Sequence, residues 1–468
     1  MTEAVQTADQ AALDLESLTA DVVAMAMKAG ASDAEAVVRE GDEFSVNVRM
    51  GEVETLKESG SRGLGLRVFL GTRSASTSTS DLTPEGIRQL VDGALALAKV
   101  TEEDPFAGIP EAGEFGSCVT DAAELQLYFD DVYSLSGQER IEWARRAEAA
   151  ALASDARITN SDGGSFDAAT GRKVLANSRG FVGGYRTSYA GVSAAPLAMD
   201  ANGQMQRDGW WTGARRLGDL ESPEAIGKEA ARRTLRRLGA RKVPTQRVPI
   251  VFAPEVSRSL IGSVFEAASG DSIWRHASFL AGKLGTQIAA PTLTIIDDNA
   301  MLLPNGTGGF GSSPFDGEGL PSRRTVVLKN GVLETYLLNT YTARKLGMKS
   351  THNASRGLAG TPGIGCGNLY LEAGTVTPEE IIRETHTGLY VTSLMGFGPN
   401  IVTGDYSRGA TGLWIENGQL THAVEEVTIA GNLGEMLLHV TAIGNDLVFR
   451  GSVAAPTLRI DGMTIAGA

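Results

Sequence analysis

Histidine and cysteine are scarce in this chain. Among 468 residues there are 5 histidines and 2 cysteines. The cysteines, Cys118 and Cys366, stand far apart and in no C-x-x-C pair. That argues against a disulfide scaffold or a paired-cysteine metal or redox motif, and it fits a reducing compartment. The histidines are His276, His352, His386, His422 and His439. Two zinc ligands on one helix must share a face, so they recur at i, i+4 or close to it. The closest histidines, His422 and His439, are 17 residues apart. Positive charge is short as well: 42 Lys and Arg against 56 Asp and Glu leave a net charge of −14. The one basic cluster, Arg232-Arg233 through Arg236-Arg237 to Arg241-Lys242, reads as a solvated helix face balanced by Glu224 and Glu229. Nucleic-acid binding needs a basic footprint, so no direct contact with nucleic acid is expected. No run approaches the roughly 20 apolar residues of a membrane span. The opening segment, MTEAVQTADQAALDLESL, lacks the basic-then-apolar order of a signal peptide. A cytoplasmic location is expected, with no membrane contact.

What is present is the composition of a folded, turn-rich protein: 42% apolar residues and 57 glycines. The length suggests two domains. The first, over 1–240, uses one pattern twice, at about 9–100 and 137–238: helix, antiparallel strands, helix. Leu13, Leu15, Leu18, Val22, Val23 and Met25 fall at near-helical spacing across 9–29. Phe44, Val46 and Val48, then Leu64, Leu66, Val68 and Leu70, recur with the strand period of two. A polar strand at Thr72–Ser80 follows, and Thr83-Pro84-Glu85 starts a helix with Thr as cap and Pro at its first position. In the second copy, 137–153 reads as a helix. Three strands are expected around Lys173–Asn177, Gly180–Ala190 and Val192–Met199, and Ser222-Pro223-Glu224 opens the closing helix. The second domain, over 245–468, is strand-rich. Asn330-Gly331 and Asn417-Gly418 each sit between alternating segments and predict tight hairpins. Runs of strands with helices set beside them predict an α+β fold.

Most chemical motifs fail on context. Gly306-Thr307-Gly308-Gly309-Phe310-Gly311 matches G-x-G-x-x-G, but Pro314, Gly317, Gly319 and Pro321 forbid the helix that a dinucleotide site requires. The helix expected at 254–269 carries Val256, Leu260, Ile261, Val264, Phe265 and Ala268 on one apolar stripe, with Glu266 on its polar flank. Glu266, Asp271 and His276 are a conceivable composite metal set without support from spacing.

Residues 254–285, PEVSRSLIGSVFEAASGDSIWRHASFLAGKLG, resemble the metal helix of the TldD/PmbA family. In the TldD branch this helix carries His-Glu-x-x-x-His, with a further Cys ligand near the C-terminus. Here Phe265 stands at the first His position, Glu266 is retained, and no second His follows. The run Val448-Phe449-Arg450-Gly451-Ser452-Val453-Ala454-Ala455 has no Cys. Other segments follow the family in order: Asp316-Gly317-Glu318-Gly319-Leu320-Pro321, Asn353-Ala354-Ser355-Arg356-Gly357, and Gly404-Asp405-Tyr406-Ser407-Arg408-Gly409. This pattern is similar to that of the PmbA, or TldE, branch, which lacks the metal site. The resemblance implies a non-catalytic subunit of a cytoplasmic two-component zinc metalloprotease that processes peptides and unfolded segments. No cofactor is expected in this chain; zinc is expected in a TldD-type partner bearing His-Glu-x-x-x-His. An extended peptide would be held by strand addition, with Gly308, Gly309, Gly311, Gly396, Gly398, Asp405, Tyr406, Ser407 and Arg408 as candidate cavity residues. The alternatives are an autonomous metallopeptidase or hydrolase with atypical ligands, and a homodimeric binding or scaffold protein of the same fold.

Overall fold

The computed structural model describes residues 14–115 and 122–467. Cys118 and the first residues of the helix expected at 9–29 lie outside them. The N-terminal half runs α1 (Leu15–Lys28), β1 (Asp33–Arg49), β2 (Glu52–Leu70), β3 (Arg73–Thr79) and α2 (Pro84–Ala98). It continues with α3 (Gly137–Leu152), β4 (Ile158–Asn177), β5 (Val182–Met199), β6 (Met205–Arg207), β7 (Trp210–Ala214) and α4 (Pro223–Leu235). The helix starts follow their caps: Thr83 and Ser222 accept from the backbone N–H groups of Gly86 and Ala225.

One antiparallel sheet joins both copies, in the order β3-β2-β1-β4-β5-β6 with β7 also on β5. Ala36 and Val38 of β1 pack under α1 and α2, and Phe44, Val46 and Val48 pack under α3 and α4. All five point to the same face by the two-residue period. The helix pairs therefore sit side by side on one face, separated by a polar groove of about 550 Å³ lined by Glu40, Asp42, Arg62 and Arg172. The second copy differs from expectation in one respect. The three strands anticipated over 173–199 are the end of one 20-residue strand, β4, and the whole of one 18-residue strand, β5. Register shifts near Ile158–Gly164 let glycine-rich β4 stay paired where its hydrophobic pattern fails.

The C-terminal half begins with β8 (Gln246–Phe252), α5 (Pro254–Ala268) and α6 (Gly270–Trp274). Next come β9 (Ile295–Asp298), β10 (Arg324–Lys329), β11 (Val332–Leu333), α7 (Thr340–Leu346), β12 (Ala354–Ser355), β13 (Gly363–Ile364) and β14 (Asn368–Leu371). The last part is α8 (Pro378–Glu384), β15 (Thr387–Met395), β16 (Asp405–Glu416), β17 (Gln419–Asn432), α9 (Leu433–Leu438), β18 (Val440–Ile443), β19 (Val453–Ala454) and β20 (Leu458–Ala466). Both Asn-Gly pairs turn hairpins with φ positive at each residue: 50° and 79° at Asn330 and Gly331, 52° and 74° at Asn417 and Gly418. Strand pairing runs β17-β16-β15-β8-β20, and β17 also pairs with β20, so these five strands close into a barrel. A second sheet, β11-β10-β9-β14-β19, stands beside it. The largest hydrophobic core lies between them and includes the apolar face of α5. The structure is thus α+β with a strand-rich C-terminal region.

The helix-free face of the N-terminal sheet packs on the C-terminal half. Val37, Leu175 and Phe181 meet Phe315 and Leu320 there. Arg39 and Lys173, directly paired across β1 and β4, share this face.

Candidate functional site

Helix α5 leaves the barrel straight from β8: Ala253 donates to Val391 O at 3.0 Å, and Pro254 occupies the first turn. Val256, Leu260, Ile261, Val264, Ala267 and Ala268 are buried. Phe265 is half-buried on the rim of the same core, and Glu266 is exposed. Full burial of a phenyl ring contributes about 1.5–3 kcal/mol and half-burial correspondingly less, with no polar partner required.

The spacing His-Glu-x-x-x-His, laid on Phe265 and Glu266, gives the second histidine position to Gly270. Here the helix is interrupted. Ser269 is extended, at φ −63° and ψ 133°, and Gly270 donates to Leu337 O at 2.8 Å before α6 resumes. A Cβ at Gly270 would lie 2.6 Å from Leu338 Cδ2 and 2.6 Å from Thr342 Oγ1. A side chain here would require buried Leu338 and Thr342 to shift. The segment that lacks the family's Cys lies along the first turns of α5: Ser257 Oγ donates to Pro456 O at 2.7 Å, and Val453 and Arg258 line one small cleft. Asp271 accepts from Trp274 Nε1 at 3.3 Å, and His276 is exposed in a left-handed conformation, φ 54°. Among the described residues no three His, Cys, Asp or Glu side chains form a group able to hold a metal ion. These residues do not fit a zinc site.

The remaining candidate residues fall into two places. Residues 306–311 form turns, with no helix. Gly308 O and Gly309 O accept from Arg215 at 2.7 and 2.6 Å, and added Cβ atoms would strike Leu125 O and Asn368. Gly311 lines a cavity at the seam between the halves. Gly396 and Gly398 lie in the open β15–β16 connection, with free space where a Cβ would stand. Phe397 between them is 96% exposed. Asp405 and Ser407 are exposed on β16, Arg408 donates to Gly396 O at 3.1 Å, and Tyr406 is buried without a hydrogen-bond partner for its hydroxyl. None of residues 396–408 lines the seam cavity.

Sequence patterns gave no role to a charged network at that seam. Glu35 Oε1 lies 2.8 Å from Arg356 and 3.2 Å from Arg67, with all three side chains at most 5% exposed. Asp316 Oδ1 accepts from the backbone of Glu318 and Leu320 at 2.8 and 2.9 Å, and its Oδ2 from Ala354 at 3.0 Å. Glu318 Oε2 accepts from Thr340 N and Oγ1 at 3.0 and 2.7 Å. Burial holds both carboxyls above the ordinary range, and the Asp316 charge raises Glu318 further. Burial also pushes Asp297, which accepts from Asn353 and Gly367, up to about 7. Burial pushes Lys173 down to about 8, with Arg39 adding to the shift, and raises the Cys366 thiol to about 12, which leaves it inert. The only signals in the sequence were the family-like segments at 316–321 and 353–357.

Comparison with known proteins bears on both regions. The family descriptions "PmbA/TldA metallopeptidase domain 1", "central domain" and "C-terminal domain" match residues 34–98, 130–238 and 245–467. Metalloprotease PmbA of Escherichia coli O157:H7 is 40% identical over 445 residues, covering 95% of this chain and 94% of that protein. The Metalloprotease PmbA homolog of Haemophilus influenzae is 35% identical over 457 residues, covering 97% and 96%. Among solved structures, a protein of Bacteroides thetaiotaomicron provisionally assigned as a modulator of DNA gyrase superposes with a TM-score of 0.88 at 27% identity, over 97% of this chain and 99% of that one. TldE from Thermococcus kodakarensis shares the fold, with a TM-score of 0.83 at 21% identity, over 96% and 100%. The chain is a PmbA/TldE-like member of the PmbA/TldD metallopeptidase family.

Proposed function

We propose that this chain is the non-catalytic subunit of a two-component zinc metalloprotease, acting in the cytoplasm beside a TldD-type subunit that carries the zinc. The observation that carries this reading is Gly270, where a ligand side chain would have to displace buried Leu338 and Thr342. Phe265 on the core rim supports it, since a phenyl ring offers no lone pair to a metal. Without a metal-bound water, exposed Glu266 has nothing to activate as a base. The chain's part is to shape the cavity in which an extended peptide meets the partner's zinc.

The test is to purify the chain alone and together with its genomic partner bearing His-Glu-x-x-x-His. Zinc content and cleavage of an unfolded polypeptide are then measured. The isolated chain is expected to hold no stoichiometric zinc and to cleave nothing, and the pair to do both. Zinc with activity in the isolated chain would sink the proposal and favour an autonomous metallopeptidase.

A further inference from the structure

The seam cavity, of about 180 Å³, is bordered by Arg39, Lys173 and Arg356, with Asp316 the carboxylate on its wall. Arg39 and Lys173 are direct cross-strand partners on one face. Like charges so placed repel and destabilise a sheet unless something between them compensates. The protein compensates them in part: Arg39 donates to Arg356 O, and the Asp316 charge acts on Lys173. Among the described residues the Lys173 side chain makes no hydrogen bond and no ion pair; it lies beside the Tyr185 and Phe315 rings at 6.0 and 5.9 Å. Asp316 has both oxygens engaged by backbone N–H groups. Arg356 is held by Glu35, yet its Nε has no partner, and Glu35 is shared with a second cation, Arg67. Exposed Arg39 and Ser355 leave the space open to solvent.

We infer that this cavity binds the α-carboxylate of a small peptide end or a free amino acid, with Lys173 and Arg39 on the carboxylate. The space is smaller than the roughly 300–1,000 Å³ of drug-sized pockets, which matches one terminal residue rather than a long segment. A carboxylate between two cations forms charge-assisted hydrogen bonds and removes their mutual repulsion, so binding here draws on both terms. The inference does not depend on the chain's being a protease subunit.

The test is calorimetric titration of the full chain at low ionic strength with trialanine, trialanine amide, alanine and inorganic phosphate. Trialanine is expected to bind, and its amide at least tenfold more weakly. Lys173→Met and Arg39→Ala should each lower trialanine affinity at least tenfold. Arg39 is exposed, so its variant tests the site even where Lys173→Met fails to fold. Binding of alanine with the same dependence on Lys173 and Arg39 assigns a free amino acid as ligand; its absence beside trialanine binding assigns a peptide end. Equal affinity for acid and amide, undiminished binding by both variants, or binding of phosphate alone would overturn the inference.

Discussion

At α5 the positions that a zinc protease would give to ligands are filled with hydrocarbon or crowded by neighbouring side chains, whereas at the seam between the halves charged groups surround a space left open. Phe265 sits on the core rim and Gly270 is walled in by Leu338 and Thr342. Lys173 and Arg39 face each other across two strands, and among the described residues neither forms an ion pair. A site whose chemistry has been relinquished relaxes toward good packing, because apolar contacts stabilise and empty polar positions do not. A site that keeps like charges side by side retains a destabilising arrangement, which marks it for a role other than stability.

The strongest blow to the seam would be Arg356→Ala. It leaves buried Glu35 with Arg67 alone, and breaking such a pair costs about 3–5 kcal/mol. Urea unfolding should report it; a loss below about 1 kcal/mol would mean that the network is not the buried lock described. Next comes the attempt to restore the metal helix. Phe265→His with Gly270→His supplies both histidines, but overpacking at Gly270 is expected to cost about 2–3 kcal/mol and to yield no stoichiometric zinc. Tight zinc in a variant of undiminished stability would erase the contrast between the two regions.

Lys173→Met should act in the opposite direction. With the folded-state value near 8 against 10.5 ordinarily, the unfolded chain binds more protons between those values, so stability rises with pH across that window. Below pH 8 the full penalty applies, on the order of 2–3 kcal/mol. The variant should gain about that much at pH 7 and lose the rise between pH 8 and 10.5, read from melts across the range. A variant destabilised at pH 7 would show that Lys173 supports the fold instead. The smallest effect belongs to Glu266→Gln. An exposed carboxylate with no substrate to act on should change stability by less than about 0.5 kcal/mol, and activity of the assembled pair should not move. A large loss of activity would return Glu266 to the chemistry.

Local signals were readable in advance where one or two residues decide the backbone. Thr83, Ser222 and Thr377 cap the helices that follow them, and both Asn-Gly pairs turn hairpins. The apolar stripe of α5 was legible because helical spacing alone defines a face. The end of β4 and both parts of β5 were legible as strands, but the first part of β4 was not, since Gly163, Gly164 and Gly171 break the pattern while neighbouring strands on both sides keep it paired. That no two histidines share a helix face could be read from spacing, but the crowding around Gly270 depends on Leu338 and Thr342, some 70 residues away. The seam cavity was hidden for the same reason. Arg39, Lys173 and Arg356 come from three distant segments, and no spacing rule joins them.

The closed barrel has a bearing on how a polypeptide could be gripped. A ring of strands offers no unpaired main chain to a visitor. β17 is paired by β16 and β20, and Arg241 covers part of what remains through bonds with Ala423 and Glu425; β18 ends against Val376. The second sheet ends in the two-residue strands β11 and β19, too short to act as templates. The N-terminal sheet keeps longer margins: the seven-residue strand β3, built of RSASTST, forms its rim over residues 64–70 of β2, and residues 52–63 of β2 pair with β1 alone. A peptide added as a strand there would dock on the N-terminal half, whereas α5 belongs to the C-terminal half.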